Sequence, residues 1–129
     1  MPAGLELSEE YIATHLRRRQ QGYGRGKRQQ IETDFAEIVS GVRHGLTMGS
    51  PIGLSIANKD WGNQNWQRRM SVAPVDGEVE RLTAMRPGHA DLSATIKYGL
   101  DDVRPALERA SARETTARVA VASVARRLL

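Results

Sequence analysis

Apolar side chains near the start of the chain recur at the spacing of one helical face. Ser8 precedes two glutamates, so a hydroxyl cap is followed by acids at the positive end of the helix dipole. Ile12 and Leu16 then lie about one turn apart, and three arginines follow before Gly22. The pattern predicts an amphipathic helix between Ser8 and Gly22, with Ile12 and Leu16 on its buried face.

In the middle of the chain the apolar residues alternate with polar or small ones. The alternating apolar positions are Ala36, Ile38 and Val42, and then Ile52, Leu54 and Ile56. Residues 43–51 between the two runs are rich in turn formers, which predicts a hairpin or two adjacent strands. Residues 58–86 are polar and show no period, which predicts a long irregular connection.

A further helix is predicted at the C-terminal end. Ser111 and Glu114 have the spacing of a capping box, and residues 115–129 form one run rich in Ala and Val. This apolar face is expected to pack against something substantial, and its residues are Ala117, Val121, Val124 and Leu128. Helices combined with a strand pair indicate an α+β or α/β fold, and 129 residues fit one modest domain.

Composition narrows the class of protein. Apolar residues make up 40% of the chain, with one Phe and two Trp, so any core must be mainly aliphatic. The absence of Cys from the sequence excludes a disulfide framework and a thiolate metal site. The sequence shows no apolar run of membrane-spanning length and no signal peptide at its start. We therefore expect a soluble, cytoplasmic protein with no membrane partner.

The net charge of +4 understates a local concentration of positive charge. No acidic residue occurs from Tyr11 to Ile31, while basic residues crowd there: Arg17, Arg18, Arg19, Arg25, Lys27 and Arg28. Arginines in a glycine-rich loop suit a clamp on a phosphate or carboxylate. The same composition suits a nucleic-acid-binding segment, and it also suits a solvated basic loop. Spacing alone leaves these three interpretations open.

One of the three histidines follows a constrained turn. Pro87 fixes its own backbone and Gly88 tolerates conformations forbidden to other residues, so His89 is expected at a rigid corner beside Arg86. A histidine at such a corner suits proton transfer or charge stabilisation, although a structural histidine is equally compatible. Asp91 either orients the imidazole or caps the helix that follows.

The start of the last helix is a further candidate anion site. Arg109, Ser111 and Arg113 accompany the unpaired N–H groups of a helix N-terminus, although an ordinary capping box has the same sequence. His15 and His44 have no partner visible in the sequence. Without an H-x-x-H pattern or clustered acids, no metal site is expected.

Four long blocks together resemble chorismate synthase, in family order and over nearly the whole chain. They are RRRQQGYGRGKRQQIETD (17–34), IVSGVRHGLTMGSPIGLSIANKD (38–60), RPGHADLSATIKYG (86–99) and LERASARETTARVAVASVARRLL (107–129). The resemblance implies that residues 1–129 are a single partial domain of a β-α sandwich whose full-length members form homotetramers. It also implies an N-terminal-region fragment without the family's G-E-S-H-G motif and C-terminal part, expected to be inactive alone.

The family reaction is a 1,4-elimination of phosphate from 5-enolpyruvylshikimate 3-phosphate to give chorismate, in aromatic amino acid biosynthesis. The resemblance implies reduced FMN as cofactor, NADPH as a possible reductant, a phosphorylated small-molecule substrate and no nucleic acid partner. Residues 20–30 and 58–86 would be flexible active-site loops. The alternative is a small basic nucleic-acid-binding protein, which leaves the turn at His89 unexplained.

The resemblance assigns roles to individual residues. His89 would be catalytic, supplying a proton or positive charge beside the reduced flavin. The expected FMN-binding residues are Arg109, Ala110 and Ser111. Arg19 and Arg25 would bind either NADP or substrate. The expected substrate-binding arginines are Arg19, Arg25, Arg28, Arg86 and Arg113.

Overall fold

The structure is a computed structural model that describes residues 1–21, 33–62, 64–110 and 112–129. Contacts divide these residues into a first unit, formed by 1–58 and 115–129, and a second unit, formed by 59–114. Some residues singled out in the sequence lie outside the described part of the chain: Gly22, Arg25, Lys27, Arg28 and Ser111.

Helices and short strands alternate along the described part of the chain. The α-helices are α1 (Glu9–Gln20), α2 (Gln64–Arg69), α3 (Asp91–Tyr98), α4 (Arg104–Arg109) and α5 (Ala112–Arg126). The strands are β1 (Ala3–Glu6), β2 (Glu37–Ser40), β3 (Val42–Arg43), β4 (Leu46–Met48) and β5 (Gly53–Ser55). A 3₁₀-helix spans Lys59–Gly62. This mixture of helices with small antiparallel sheets confirms the α+β prediction.

Helix α1 begins where the sequence predicts. The backbone N–H of Tyr11 donates a hydrogen bond of 3.2 Å to Oγ of Ser8, which satisfies one of the unpaired donors of the first turn. Ile12 and Leu16 are fully buried, so the predicted apolar face is confirmed. Three arginines occupy the last turn, where the helix dipole favours positive charge.

The two predicted strand runs form adjacent antiparallel strands, β2 and β5, with Ile38 opposite Leu54. The segment between them is more than a turn, because it contains the hairpin β3–β4. The hairpin turn is His44-Gly45, and both residues have positive φ (50° and 78°), as type I′ turns require. Strand β4 also pairs with β1, giving a three-stranded sheet in the order β1-β4-β3.

A buried threonine on β4 is hydrogen-bonded to the chain at both ends of β1. Oγ1 of Thr47, on β4, donates to the carbonyl oxygen of Pro2 at 2.6 Å and accepts from the backbone N–H of Leu5 at 3.0 Å. The register of β1 against β4 is irregular at this point. The side chain therefore satisfies backbone groups that an irregular ladder leaves unpaired.

The core of the first unit lies between α1, α5 and the segment before β2. Its buried apolar residues are Leu7, Ile12, Leu16, Ala36, Ala120 and Val124. The predicted buried face of the C-terminal helix was wrong in part: Val124 is buried, whereas Ala117, Val121 and Leu128 are exposed. The helix instead buries Thr116 and Ser123 along with Ala120, and it ends at Arg126 rather than at the last residue.

Hydrogen bonds explain why hydroxyl side chains lie on the buried face of α5. Oγ1 of Thr116 donates to Oδ2 of Asp34 at 3.0 Å, and Oγ of Ser123 donates to the carbonyl oxygen of Ala120 at 2.6 Å. Asp34 also accepts from Nη1 of Arg19 at 3.3 Å. A polar residue can be buried when its hydrogen bonds are made, and apolar periodicity does not detect such positions.

In the second unit, the side chain of Asp102 links two segments of the chain by accepting hydrogen bonds from their backbone. Its Oδ1 accepts from the backbone N–H groups of Leu82 (3.2 Å) and Arg104 (2.9 Å), while the N–H of Val103 donates to the carbonyl of Leu82 (2.8 Å). The segment 58–86 was predicted to be irregular, but it contains the 3₁₀-helix and α2. Short helices without an apolar period are not visible in a hydropathy pattern. No helix in the described ranges is long and apolar enough to cross a membrane.

Gly41 provides a test of the packing between β2 and β5. A methyl group at Gly41 would lie 2.8 Å from Cα of Ile52, and the residue has φ of 86°. Gly45 has similar φ (78°), but no atom of the described residues lies within 4 Å of the added methyl group. We expect Gly45→Ala to cost about 1 kcal/mol of unfolding free energy through backbone strain, and Gly41→Ala about 1–3 kcal/mol more through the added clash. The measurement is urea unfolding of both variants, and equal losses would contradict the close approach.

Candidate active site

The turn from Arg86 to His89 is a rigid corner, as the sequence indicates. The backbone N–H of His89 donates to the carbonyl oxygen of Arg86 at 3.4 Å, and Gly88 has φ of 72°. Pro at the second position and a residue with positive φ at the third are the features of a type II β-turn. Only glycine adopts this φ without strain, so the presence of Gly88 in the sequence favours the corner. His89 is exposed at its end.

The Asp91 carboxylate closes this corner by binding Arg86. Oδ2 accepts from the backbone N–H and from Nε of Arg86, both at 2.9 Å, and Oδ1 accepts from Nη2 at 2.8 Å. The Asp91 side chain is 0% exposed and that of Arg86 is 32% exposed. Of the two roles considered for Asp91, orienting the imidazole or capping the helix, the structure shows neither hydrogen bond among the described residues.

The Arg86 guanidinium lowers the pKa of the Asp91 carboxyl to about 2, chiefly through its side-chain hydrogen bonds and then through the bond from its backbone N–H. The same carboxylate raises the pKa of Arg86. A bidentate, charge-assisted pair is strong and geometrically specific. Both groups therefore remain charged throughout the neutral pH range.

Arg86 also links the turn to α4. Its Nη2 donates to the carbonyl oxygen of Leu107 at 3.3 Å, in the last turns of that helix. Two residues later comes Arg109, which is exposed, and then Ala110, which is half-buried. Ser111 lies outside the described residues. The arginine thus connects the histidine corner with the segment that carries the predicted cofactor-binding residues.

The remaining predicted arginines lie elsewhere. Arg113 is half-buried in the first turn of α5 and belongs to the second unit. Arg19 belongs to the first unit and pairs with Asp34, whose side chain is 2% exposed. Arg25 and Arg28 are outside the described residues. The structure therefore brings Arg86 and His89 together on one turn and places Arg19 in the other unit.

Arg19 borders an open cavity of about 410 Å³ between α1 and α5 in the first unit. The other lining residues are His15, Arg18, Val119, Ala122, Ser123 and Arg126. Burial, and then the charges of Arg126 and Arg18, lower the pKa of His15. Three arginines line the cavity, so its wall carries positive charge and suits an anionic group.

Sequence reasoning missed the pairing of two carboxylates with predicted arginines. Asp91 is expected from the sequence to orient the His89 imidazole or to cap the following helix, not to bind Arg86, and Asp34 is not singled out. A signal for Asp91 exists in the sequence: an acid five residues after an arginine, across a Pro-Gly turn, can fold back onto it. Asp34 has no such local signal, because its partner Thr116 is distant in sequence. In the described ranges, no three metal-ligating side chains form a cluster.

Comparison with known proteins gives one family. The family model described as chorismate synthase matches residues 1–129. The chain is 58% identical to the chorismate synthase of Geobacillus thermodenitrificans, with 100% of the chain aligned to 34% of that protein. It is also 58% identical to the chorismate synthase of Streptococcus mutans, with the same shares covered. The chain spans about a third of the length of these curated relatives.

A solved structure gives the same result. The crystal structure of a chorismate synthase superimposes with a TM-score of 0.65 at 46% sequence identity. The superposition covers 98% of this chain and 27% of that one. The fold predicted from the resemblance, part of the family's β-α architecture, is therefore confirmed.

Because of the ion pair between Asp91 and Arg86, the stability of the wild-type chain relative to Asp91→Asn should depend on pH. Because folding lowers the Asp91 pKa from 3.8 to about 2, its stabilisation is fully present above about pH 4 and is lost as the pH falls towards 2. We expect the difference in unfolding free energy between the wild-type chain and Asp91→Asn to shrink over this range. Denaturant unfolding at pH 2–6 measures it. A difference that stays constant down to pH 2 would contradict the ion pair.

Proposed function

This chain belongs to the chorismate synthase family, and we propose that its His89 corner forms part of the site that converts 5-enolpyruvylshikimate 3-phosphate to chorismate. The observation that carries the proposal is the corner itself, which presents an exposed histidine on a turn fixed by Arg86 and Asp91. The chain spans 34% of the length of the Geobacillus relative. We therefore propose the activity for a full-length protein and expect residues 1–129 alone to be inactive.

The charge of the chain supports an anionic substrate. The proposed substrate carries a phosphate and two carboxylates, and arginines bind both groups through paired hydrogen bonds. The arginines proposed to bind it are Arg19, Arg25, Arg28, Arg86 and Arg113. Arg19 supports this assignment by its position beside the charged cavity of the first unit. Arg86 supports it by the third of its side chain that remains exposed.

The proposed reaction is a 1,4-elimination. The carbon–oxygen bond to phosphate breaks, a ring hydrogen is lost and a new carbon–carbon double bond forms, with no net oxidation. We propose that His89 holds a proton, or a positive charge, next to the reacting groups. An exposed imidazole on a fixed turn suits this role because proton transfer requires a donor held in one position.

The residues around the end of α4 fit an anionic flavin. Arg109 is exposed there, and the 15-residue helix α5 begins directly afterwards, so its first N–H groups and a guanidinium lie near each other in sequence. We propose that Arg109, Ala110 and Ser111 hold FMN. When bound, reduced FMN supplies electron density that assists the departure of phosphate. NADPH is the proposed reductant, with Arg19 and Arg25 as its candidate ligands.

We also propose a cytoplasmic homotetramer for the full-length protein, on the basis of family membership. Analytical ultracentrifugation of a full-length member tests the assembly, and a monomeric species at micromolar concentration would contradict it.

The role of His89 can be tested in a full-length chimera. This chimera is the Geobacillus thermodenitrificans chorismate synthase with its matching segment replaced by this chain, to which it is 58% identical. We expect His89→Ala to lower kcat by about 10²–10⁴-fold, the usual contribution of a positioned acid or base. The measurement is chorismate formation in the presence of reduced FMN.

A second histidine provides the matched control. His44 is exposed on the β3–β4 turn with positive φ, a conformation that asparagine tolerates, so His44→Asn should leave kcat unchanged. Normal turnover by the His89→Ala chimera would refute the catalytic assignment. Chorismate formation by the isolated 129-residue chain would refute the proposal that it is inactive alone.

A further inference from the structure

We propose that Asp91 is a positioning residue of this site, which fixes the corner carrying His89 and ties it to the end of α4 through Arg86. This inference rests on the proposed role of His89. Asp91 contacts neither substrate nor cofactor in the proposal. It acts through Arg86 and through the backbone of the turn.

The Asp91 carboxylate is buried and is fully engaged by Arg86. Its side chain is 0% exposed, and its two oxygens accept three hydrogen bonds from Arg86 alone. A buried charge is costly unless it is paired and hydrogen-bonded, and here one arginine meets that need. The pair therefore has one preferred arrangement rather than several.

The backbone of the corner is also held by hydrogen bonds. The N–H of Arg86 is held by Asp91, at the start of α3, while the carbonyl of Arg86 accepts the N–H of His89. Both polar groups of the Arg86 backbone are thus hydrogen-bonded, the carbonyl oxygen to the N–H of His89 and the N–H to the side chain of Asp91. These hydrogen bonds fix the backbone from which the imidazole of His89 extends.

Arg86 also connects the corner to α4. The same Nη2 that binds Oδ1 of Asp91 donates to the carbonyl of Leu107, two residues before Arg109. A cation near the C-terminal carbonyls of a helix is favourable. Asp91 orients the guanidinium that makes this contact, so it holds the histidine corner to the last turns of α4.

These contacts leave one edge of Arg86 for the substrate. In the described part of the chain no hydrogen bond engages Nη1 of Arg86, and the side chain is 32% exposed. Arg86 can therefore bind an anion through Nη1 while Asp91 holds its other nitrogens. A carboxylate that grips one edge of a guanidinium restricts where the other edge points.

Asp102 is the matched control for a purely structural role. It also lies in the second unit, and its Oδ1 accepts two backbone N–H groups, neither of which belongs to the turn from Arg86 to His89. If Asp91 only stabilises the unit, Asp91→Asn and Asp102→Asn should have similar consequences. If Asp91 positions the site, only Asp91→Asn should change catalysis beyond its effect on stability.

The experiment uses the full-length chimera below the unfolding temperature of each variant. We expect Asp91→Asn to lower kcat by about tenfold or more with less than about threefold change in KM, because displaced catalytic groups chiefly slow the chemical step. Asp102→Asn should keep kcat within about twofold of the parent. In hydrogen exchange, the amides of Arg86 and His89 should exchange faster in Asp91→Asn but not in Asp102→Asn.

The outcomes are distinguishable. Equal kcat for Asp91→Asn and the parent, or equal losses in the two Asn variants, would overturn the positioning role. If Asp91→Asn does not fold, Arg86→Lys replaces it. This variant keeps the charge but loses the fork, and its readout is hydrogen exchange, because Arg86 is itself proposed to bind substrate. Unchanged exchange of the His89 amide would overturn the proposal, and faster exchange would support it. If His89→Ala is fully active, the proposed function fails, while hydrogen exchange still tests the hold of Asp91 on the turn.

Discussion

The ion pair between Arg86 and Asp91 is the constraint on which the candidate site depends. A carboxylate without solvent exposure must be fully hydrogen-bonded, and Arg86 provides every bond that Asp91 receives in the described structure. This requirement fixes the Pro-Gly corner, exposes His89 at its end and joins the corner to α4. Pro87 and Gly88 allow this turn geometry, and the ion pair between Arg86 and Asp91 stabilises it.

The first unit repeats the same arrangement with different residues. Asp34, also buried, accepts from Arg19 and from Thr116, and so joins α1, the segment before β2 and α5. In both units a buried aspartate holds an arginine that the family resemblance assigns to anion binding. Such arginines are pre-oriented, which reduces the conformational entropy lost when an anion binds.

The parts of the fold that sequence predicted are those governed by local or periodic signals. The Ser8 cap, the face of Ile12 and Leu16 and the pairing of β2 with β5 follow from spacing over a few residues. Strands β3 and β4 were missed because two or three residues cannot show alternation. The buried face of α5 was misassigned because Thr116 is buried for its hydrogen bond to a distant aspartate, which hydropathy does not register.

In the candidate site, too, local features could be predicted from the sequence and the choice of side-chain partners could not. The corner at His89 was predictable because Pro and Gly determine which conformations their own backbone adopts. The catalytic role of His89 is an expectation that comes from the resemblance of the four sequence blocks to the family. The engagement of Arg86 by Asp91 was not predicted, since several partners were compatible with the sequence. The roles of all the site residues remain predictions, and Arg25, Arg28 and Ser111 also lie outside the described residues.

The most direct measurement is a crystal structure of the full-length chimera with reduced FMN and a substrate analogue. The account predicts an imidazole nitrogen of His89 within about 3 Å of a polar atom of the flavin or the analogue, with the Arg86–Asp91 pair intact beneath it. A structure in which His89 lies beyond hydrogen-bonding reach of both ligands would contradict the account.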